Sequence, residues 1–162
     1  MSARHVDTPT RPAVRFLRTS ALVVGVVFGL IGVLGFVPGV VTDHDRLELW
    51  GHHTDAKLLG LFSVSVLHNV LHLLFAVLGV LASRRAPWSA AYLVYGGLSY
   101  AAVWVYGLAV GGGHGDVVGL NDADNWLHLG LTLGMTALGI AGYRWWRGGI
   151  GGDVPIRALG ST

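Results

Sequence analysis

Ala21–Val41 reads ALVVGVVFGLIGVLGFVPGVV, 21 positions without one charged side chain. Coiled as an α-helix it is about 31 Å long, enough to cross a hydrocarbon core of roughly 30 Å. Three more runs share its character. Leu58–Ala82 is apolar apart from His68, Asn69 and His72, and Ala90–Val110 follows a break at Pro87 and is rich in Tyr and Trp. Trp126–Tyr143 is opened by Asn121-Asp122-Ala123-Asp124-Asn125, the composition of a helix N-terminus. Lipid offers backbone N–H and C=O groups no partner, so such runs are expected as helices rather than open sheet. The expected fold is all-α, a four-helix transmembrane bundle with spans at 21–41, 58–82, 90–110 and 126–143 inside a domain of residues 19–146.

Composition points the same way. Of 162 residues 52% are hydrophobic and 12% charged, where a soluble domain carries about 25% charge. The 25 glycines also suit membrane helices, which use glycine more than soluble ones do. With no cysteine, disulfides, thiolate metal sites and cysteine nucleophiles are excluded. The first run could alternatively be a cleaved signal peptide, but it exceeds the usual 7–15 apolar residues and Phe36-Val37-Pro38-Gly39-Val40 offers no small-x-small site. It is expected to be retained.

Charge placement sets the expected orientation. With four spans, one side holds Arg4, Arg11, Arg15, Arg18, Arg84, Arg85, Arg144, Arg147 and Arg157, nine of the eleven basic residues. The other holds Arg46 and Lys57 with seven of the nine acids. Basic residues near span ends favour the cytoplasm, which puts both termini there. On this reading the arginines are topology signals, and nucleic acid is not an expected partner. Residues 1–18, with Pro9 and Pro12 and no apolar period, are expected as a disordered basic tail, and 147–162 as a Gly-rich tail.

Polar groups inside a membrane are costly and mark candidate sites. At 100° per residue Lys57, Ser65, His68 and His72 fall on one face of the second run, with Asn69 on its edge. Asp124, His128, Thr132, Met135 and Gly139 share one face of the fourth. Two such stripes most economically face each other. His68 and His72, four residues apart, can offer two imidazoles to one metal or one proton path, or they and Asn69 can simply hydrogen-bond between helices. Counted from the span ends, His128 lies shallower than this pair. It then belongs to an outer cluster of His52, His53, Asp55, Lys57, Asp124 and Asn125, read either as a metal site or as a helix cap with Lys57 paired to Asp124. A bis-histidine haem is disfavoured, because His68 and His72, one helical turn apart, cannot take opposite faces of a porphyrin and His128 is counted at another depth.

Gly25, Gly29 and Gly32 form a small-residue face on the first helix, suited to close packing in the bundle or to seating a partner subunit or second copy. Tyr92, Tyr95, Ser99 and Tyr106 line one face of the third.

The ordered motifs Gly51-His52-His53, Ala56-Lys57-Leu58-Leu59-Gly60-Leu61-Phe62, Val64-Ser65, His68-Asn69, His72 and Phe75, then Ala123-Asp124-Asn125-Trp126-Leu127-His128, carry a family likeness. From Ser20 to Tyr143 the chain resembles an actinobacterial family of small four-helix membrane proteins known only as a domain of unknown function. The resemblance implies a multi-pass protein of the bacterial plasma membrane and brings no activity, cofactor or catalytic residues. With no nucleophile motif or phosphate loop, the expectation is a non-enzymatic accessory, assembly or structural component. A small metal-, haem- or quinone-binding membrane protein is the alternative. A proton or small-molecule transporter comes third, because inverted repeats and broken helices are missing.

Overall fold

The computed structural model describes residues 10–51, 54–110 and 114–151. Four helices carry them: α1 (Thr10–Leu34), α2 (Val66–Ala82), α3 (Ala86–Val110) and α4 (Asp122–Gly151). Two, Arg11–Leu34 and Ala86–Val110, are long and apolar enough to cross a membrane, and Val66–Ala82 is a shorter apolar helix of 17 residues.

The helices do not coincide with the apolar runs. Helix α1 begins inside the basic head, because Pro12 sits in its first turn, where a missing N–H costs nothing. So residues 10–18 are helical rather than a disordered tail, and α4 likewise runs on to Gly151. Helix α1 ends at Leu34, before Pro38 and the left-handed Gly39 (φ 87°), so residues 35–41 of the first run leave the helix.

The largest correction concerns the second run. Its first eight residues form a hairpin and a cap instead of helix. Strands β1 (Val41–Thr42), β2 (Lys57–Leu58) and β3 (Phe62–Ser63) make a small antiparallel sheet in that order. Val41 lies opposite Leu58, and Leu58 opposite Phe62. The β2–β3 turn places Leu59 and Gly60 at positive φ, 54° and 69°, and the Leu61 N–H donates to Leu58 O at 3.1 Å. Helix α2 then starts behind Ser65, whose hydroxyl accepts from the His68 N–H at 3.1 Å.

Helices α1 and α2 pack closely, as do α3 and α4, whereas α2 and α3 touch much less. The glycine face of α1 meets α2: a Cβ on Gly25 would lie 3.0 Å from the Val80 nitrogen, and Gly79 is equally close in return. That face is packed against α2 within the chain. At one end of the bundle Arg18 Nε donates to Ser83 O at 2.8 Å, and Phe16 lies 6.1 Å from Trp145. The start of α1, the α2–α3 turn and the end of α4 therefore share one end, with Arg11, Arg15, Arg18, Arg84, Arg85, Arg144 and Arg147. At the other end the 35–65 segment, with its own apolar cluster of Val41, Ala56, Leu58 and Val64, closes against the α3–α4 loop.

Candidate functional site

The polar residues gather at the end opposite the arginines. Asn121 and Asp124 cap α4 reciprocally: Asn121 Oδ1 accepts from the Asp124 N–H, and Asp124 Oδ2 from the Asn121 N–H, both at 3.0 Å. The same Oδ2 accepts the Ser63 N–H at 3.0 Å, which fastens the hairpin to α4. Asp124 is 1% exposed, and burial pushes its carboxyl up to about 7 against the two N–H donors that favour the anion. Nearby Asp116 adds to the rise. Asp116 is itself buried, with Oδ1 accepting from Gly119 N–H at 2.8 Å and Oδ2 from Leu120 N–H at 2.6 Å.

Lys57 is exposed and forms no ion pair with Asp124; the one ion pair among the described residues is Arg46–Asp55 at 3.0 Å, with both partners largely in solvent. The expected Lys57–Asp124 contact is absent because Lys57 belongs to β2, not α2. In a strand its side chain faces away from that of buried Leu58. The outer cluster thus divides. Asp55 and Lys57 are exposed, Asp124, Asn125 and His128 are buried, and His52 and His53 lie outside the described residues.

Buried Ser65 donates to Val118 O at 2.7 Å and ties α2 to the α3–α4 loop. Fully buried Asn69 donates through Nδ2 to Gly35 O at 2.6 Å, binding the end of α1. These two behave as interhelical connectors.

The histidines behave differently. His68 and His72 are 4.6 Å apart by ring centroids, and His128 of α4 comes to 6.0 Å from His68. The two polar stripes therefore meet through their side chains, and His128 joins the inner pair instead of the outer cluster. The depth count fails because it assigned Leu58–Ser65 to the helix, adding about 12 Å to the apparent depth of His68. Tyr100 lies 5.2 Å from His128, and Phe28 stacks on His72 at 5.6 Å and on Tyr100 at 5.4 Å. All four helices contribute to this knot.

Nδ1 of His68, His72 and His128 is buried without a hydrogen-bond partner among the described residues, as is Oδ1 of Asn69 and Asn125. Each such atom costs about 1–3 kcal/mol. As they stand, no three His, Asp or Glu among the described residues are arranged to hold a metal ion. Tyr100, Phe28 and Asp116 were not singled out from sequence. For Asp116 the signal was available, an Asp three residues before Gly119 in a loop.

A family model described as "Domain of unknown function (DUF4383)" matches residues 18–141. No curated protein and no solved structure matches the chain.

Proposed function

We propose that this chain, which belongs to the DUF4383 family of unknown function, is a non-catalytic protein of the bacterial plasma membrane, crossing it four times with both termini in the cytoplasm. The observation that supports it is an inverted distribution of polarity. Leu30 and Val33 of α1, Leu74 and Val77 of α2, Val105 and Leu108 of α3 and Leu133 of α4 are all at least half exposed, while His68, Asn69, His72 and Asp124 are buried. An apolar belt around a polar interior suits lipid and is a large liability in water. Helix α2 fits at the short end of the 17–25 residues a span needs. The role is that of a structural or accessory component.

The test is extraction and labelling. The protein should stay in alkali-washed membranes and need detergent for release. In intact cells a membrane-impermeant maleimide should label Asp45→Cys and spare Ser83→Cys. Release by alkali would overturn the membrane assignment, and the reverse labelling pattern the orientation.

The unpartnered nitrogens favour a second reading, in which His68, His72 and His128 hold a small ligand. Imidazoles suit zinc, copper, iron or nickel, and ring rotation would have to bring three nitrogens together. A haem fits worse, since the rings touch one another and Phe28 and Tyr100 fill the space beside them. Metal analysis of detergent-purified protein separates the two readings, together with His72→Phe. A ligand-free knot predicts no stoichiometric metal and a His72→Phe variant at least as stable as the parent, since an apolar ring removes an unpaired polar atom. One bound metal per chain, lost in His72→Phe, would establish the second reading.

A further inference from the structure

Away from the histidines, α2 and α3 diverge beyond their short turn and leave an open groove of about 640 Å³. That is within the range of ordinary ligand sites, roughly 300–1,000 Å³. Its walls are apolar and aromatic, with Phe75 and Leu78 from α2 and Trp88, Tyr92 and Tyr95 from α3. Trp88 and Tyr95 are 62% and 69% exposed, so the aromatic face of α3 is turned outward into this groove. Tyr92 closes the floor by donating its hydroxyl to Phe75 O at 3.1 Å.

At the mouth stand Arg84 and Arg85. Both are exposed, and their guanidinium groups have no hydrogen-bond or ion-pair partner among the described residues, whereas Arg18 is already committed to Ser83 O. No acid lines the groove, and every described carboxylate lies in residues 43–55 or 116–124, at the opposite end. Two free guanidiniums over an aromatic trough match one kind of occupant. A phosphate oxygen pair can accept from an arginine fork, while a hydrocarbon chain lies along the trough beneath it.

We propose that the α2–α3 groove is a binding site for an anionic phospholipid, with its phosphate at Arg84 and Arg85 and an acyl chain against Trp88, Tyr95 and Phe75. The proposal rests on the chain being embedded in a membrane. It adds what the general positive-inside bias does not require: a stoichiometric lipid at one interhelical position.

The experiment uses the full chain in detergent, titrated with phosphatidylglycerol, phosphatidylcholine or inorganic phosphate, and reads retained lipid by native mass spectrometry and the accompanying thermal shift. Phosphatidylglycerol should bind one per chain and raise the melting temperature, with phosphatidylcholine binding much more weakly and phosphate alone having no effect. Arg84→Gln and Arg85→Gln should each weaken binding by roughly 5-fold. Ala91→Phe, which fills the groove while keeping both arginines, should abolish the one-to-one adduct. Arg144→Gln or Arg147→Gln alone, the same single charge removed elsewhere at that end, should leave it in place. Equal losses in the Arg84/Arg85 and Arg144/Arg147 variants would reduce the effect to diffuse surface charge and overturn the site. So would equal binding of both lipids, or phosphate reproducing the shift. A chain that is monodisperse without detergent and does not associate with vesicles would instead overturn the membrane reading itself.

Discussion

The two ends of the bundle solve opposite problems. At the arginine end, Arg11, Arg15, Arg84, Arg85, Arg144 and Arg147 reach outward, and their charges need nothing from the fold. At the other end Asp116, Asp124, Ser65 and Asn69 are buried, and each is bonded to backbone of a loop, strand or neighbouring helix. Charge at the first end addresses the surroundings. Polarity at the second end organises the chain. The consequence is an asymmetry of tolerance: the basic end should accept substitution, and the polar end should not.

The largest effect should come from Asp116→Ala. It strips the partners from the buried Gly119 and Leu120 N–H groups and releases a loop that packs tightly on Gly51 and Thr54. A Cβ on Gly51 would run into the Gly119 backbone there, so this contact has no slack. Two unsatisfied donors cost about 3 kcal/mol or more, roughly 6–12 °C in melting temperature for a chain of this size. Arg11→Gln and Arg15→Gln should each stay within about 0.5 kcal/mol. A thermal scan in detergent checks both, and comparable losses at the two ends would abolish the distinction.

A pH series sharpens the comparison within the polar end. The Asp124 carboxyl sits at about 7 in the folded chain against 3.8 when unfolded, because burial outweighs its N–H donors. Below 3.8 both states hold the proton. Between 3.8 and 7 only the folded state keeps it, so stability falls as pH rises through that window and levels off above it. Asp124→Asn should flatten this component, and the difference between parent and variant should shrink from pH 4 to pH 7.5. Buried Asp116, which adds to the rise at Asp124, is kept in both parent and variant. A difference that grows with pH would show Asp124 to be ionised and stabilising in the fold.

Why one end was legible and the other only in part follows from the residues involved. The apolar lengths of α1 and α3 announce themselves, and Asn121 and Asp124 announce the start of α4. The polar end depends on Leu58–Ser65, whose composition (LLGLFSVS) suits a helix as well as a strand. What decides it is nonlocal: Lys57 and Leu58 pair with Val41 and Thr42, and Ser63 donates to Asp124 some sixty positions away. The local clues were the glycine at the hairpin turn and Ser65 three residues before His68. Once those eight residues are taken off the helix, the three histidines become one group, and the separation between deep and shallow sites disappears. All three histidines are buried, and their grouping depended on a turn.

The smallest predicted effect is at Lys57, the residue most dependent on that turn. On a helix it would head the polar stripe and neutralise Asp124. On β2 it alternates with buried Leu58, lies opposite Ser63, and extends into solvent. The link to Asp124 then runs through the backbone, from the Ser63 N–H to Oδ2, and not through the lysine charge. An exposed cation near a carboxylate contributes about 0–1 kcal/mol, less with salt. Lys57→Ala should therefore cost under about 0.5 kcal/mol, while Asp124→Ala costs several times more by removing the cap and the hairpin tie. In a double-mutant cycle the two should add within about 0.5 kcal/mol. A coupling above 1 kcal/mol that shrinks at high salt would show an ion pair forming in solution, and β2 would have to turn its lysine inward to make it.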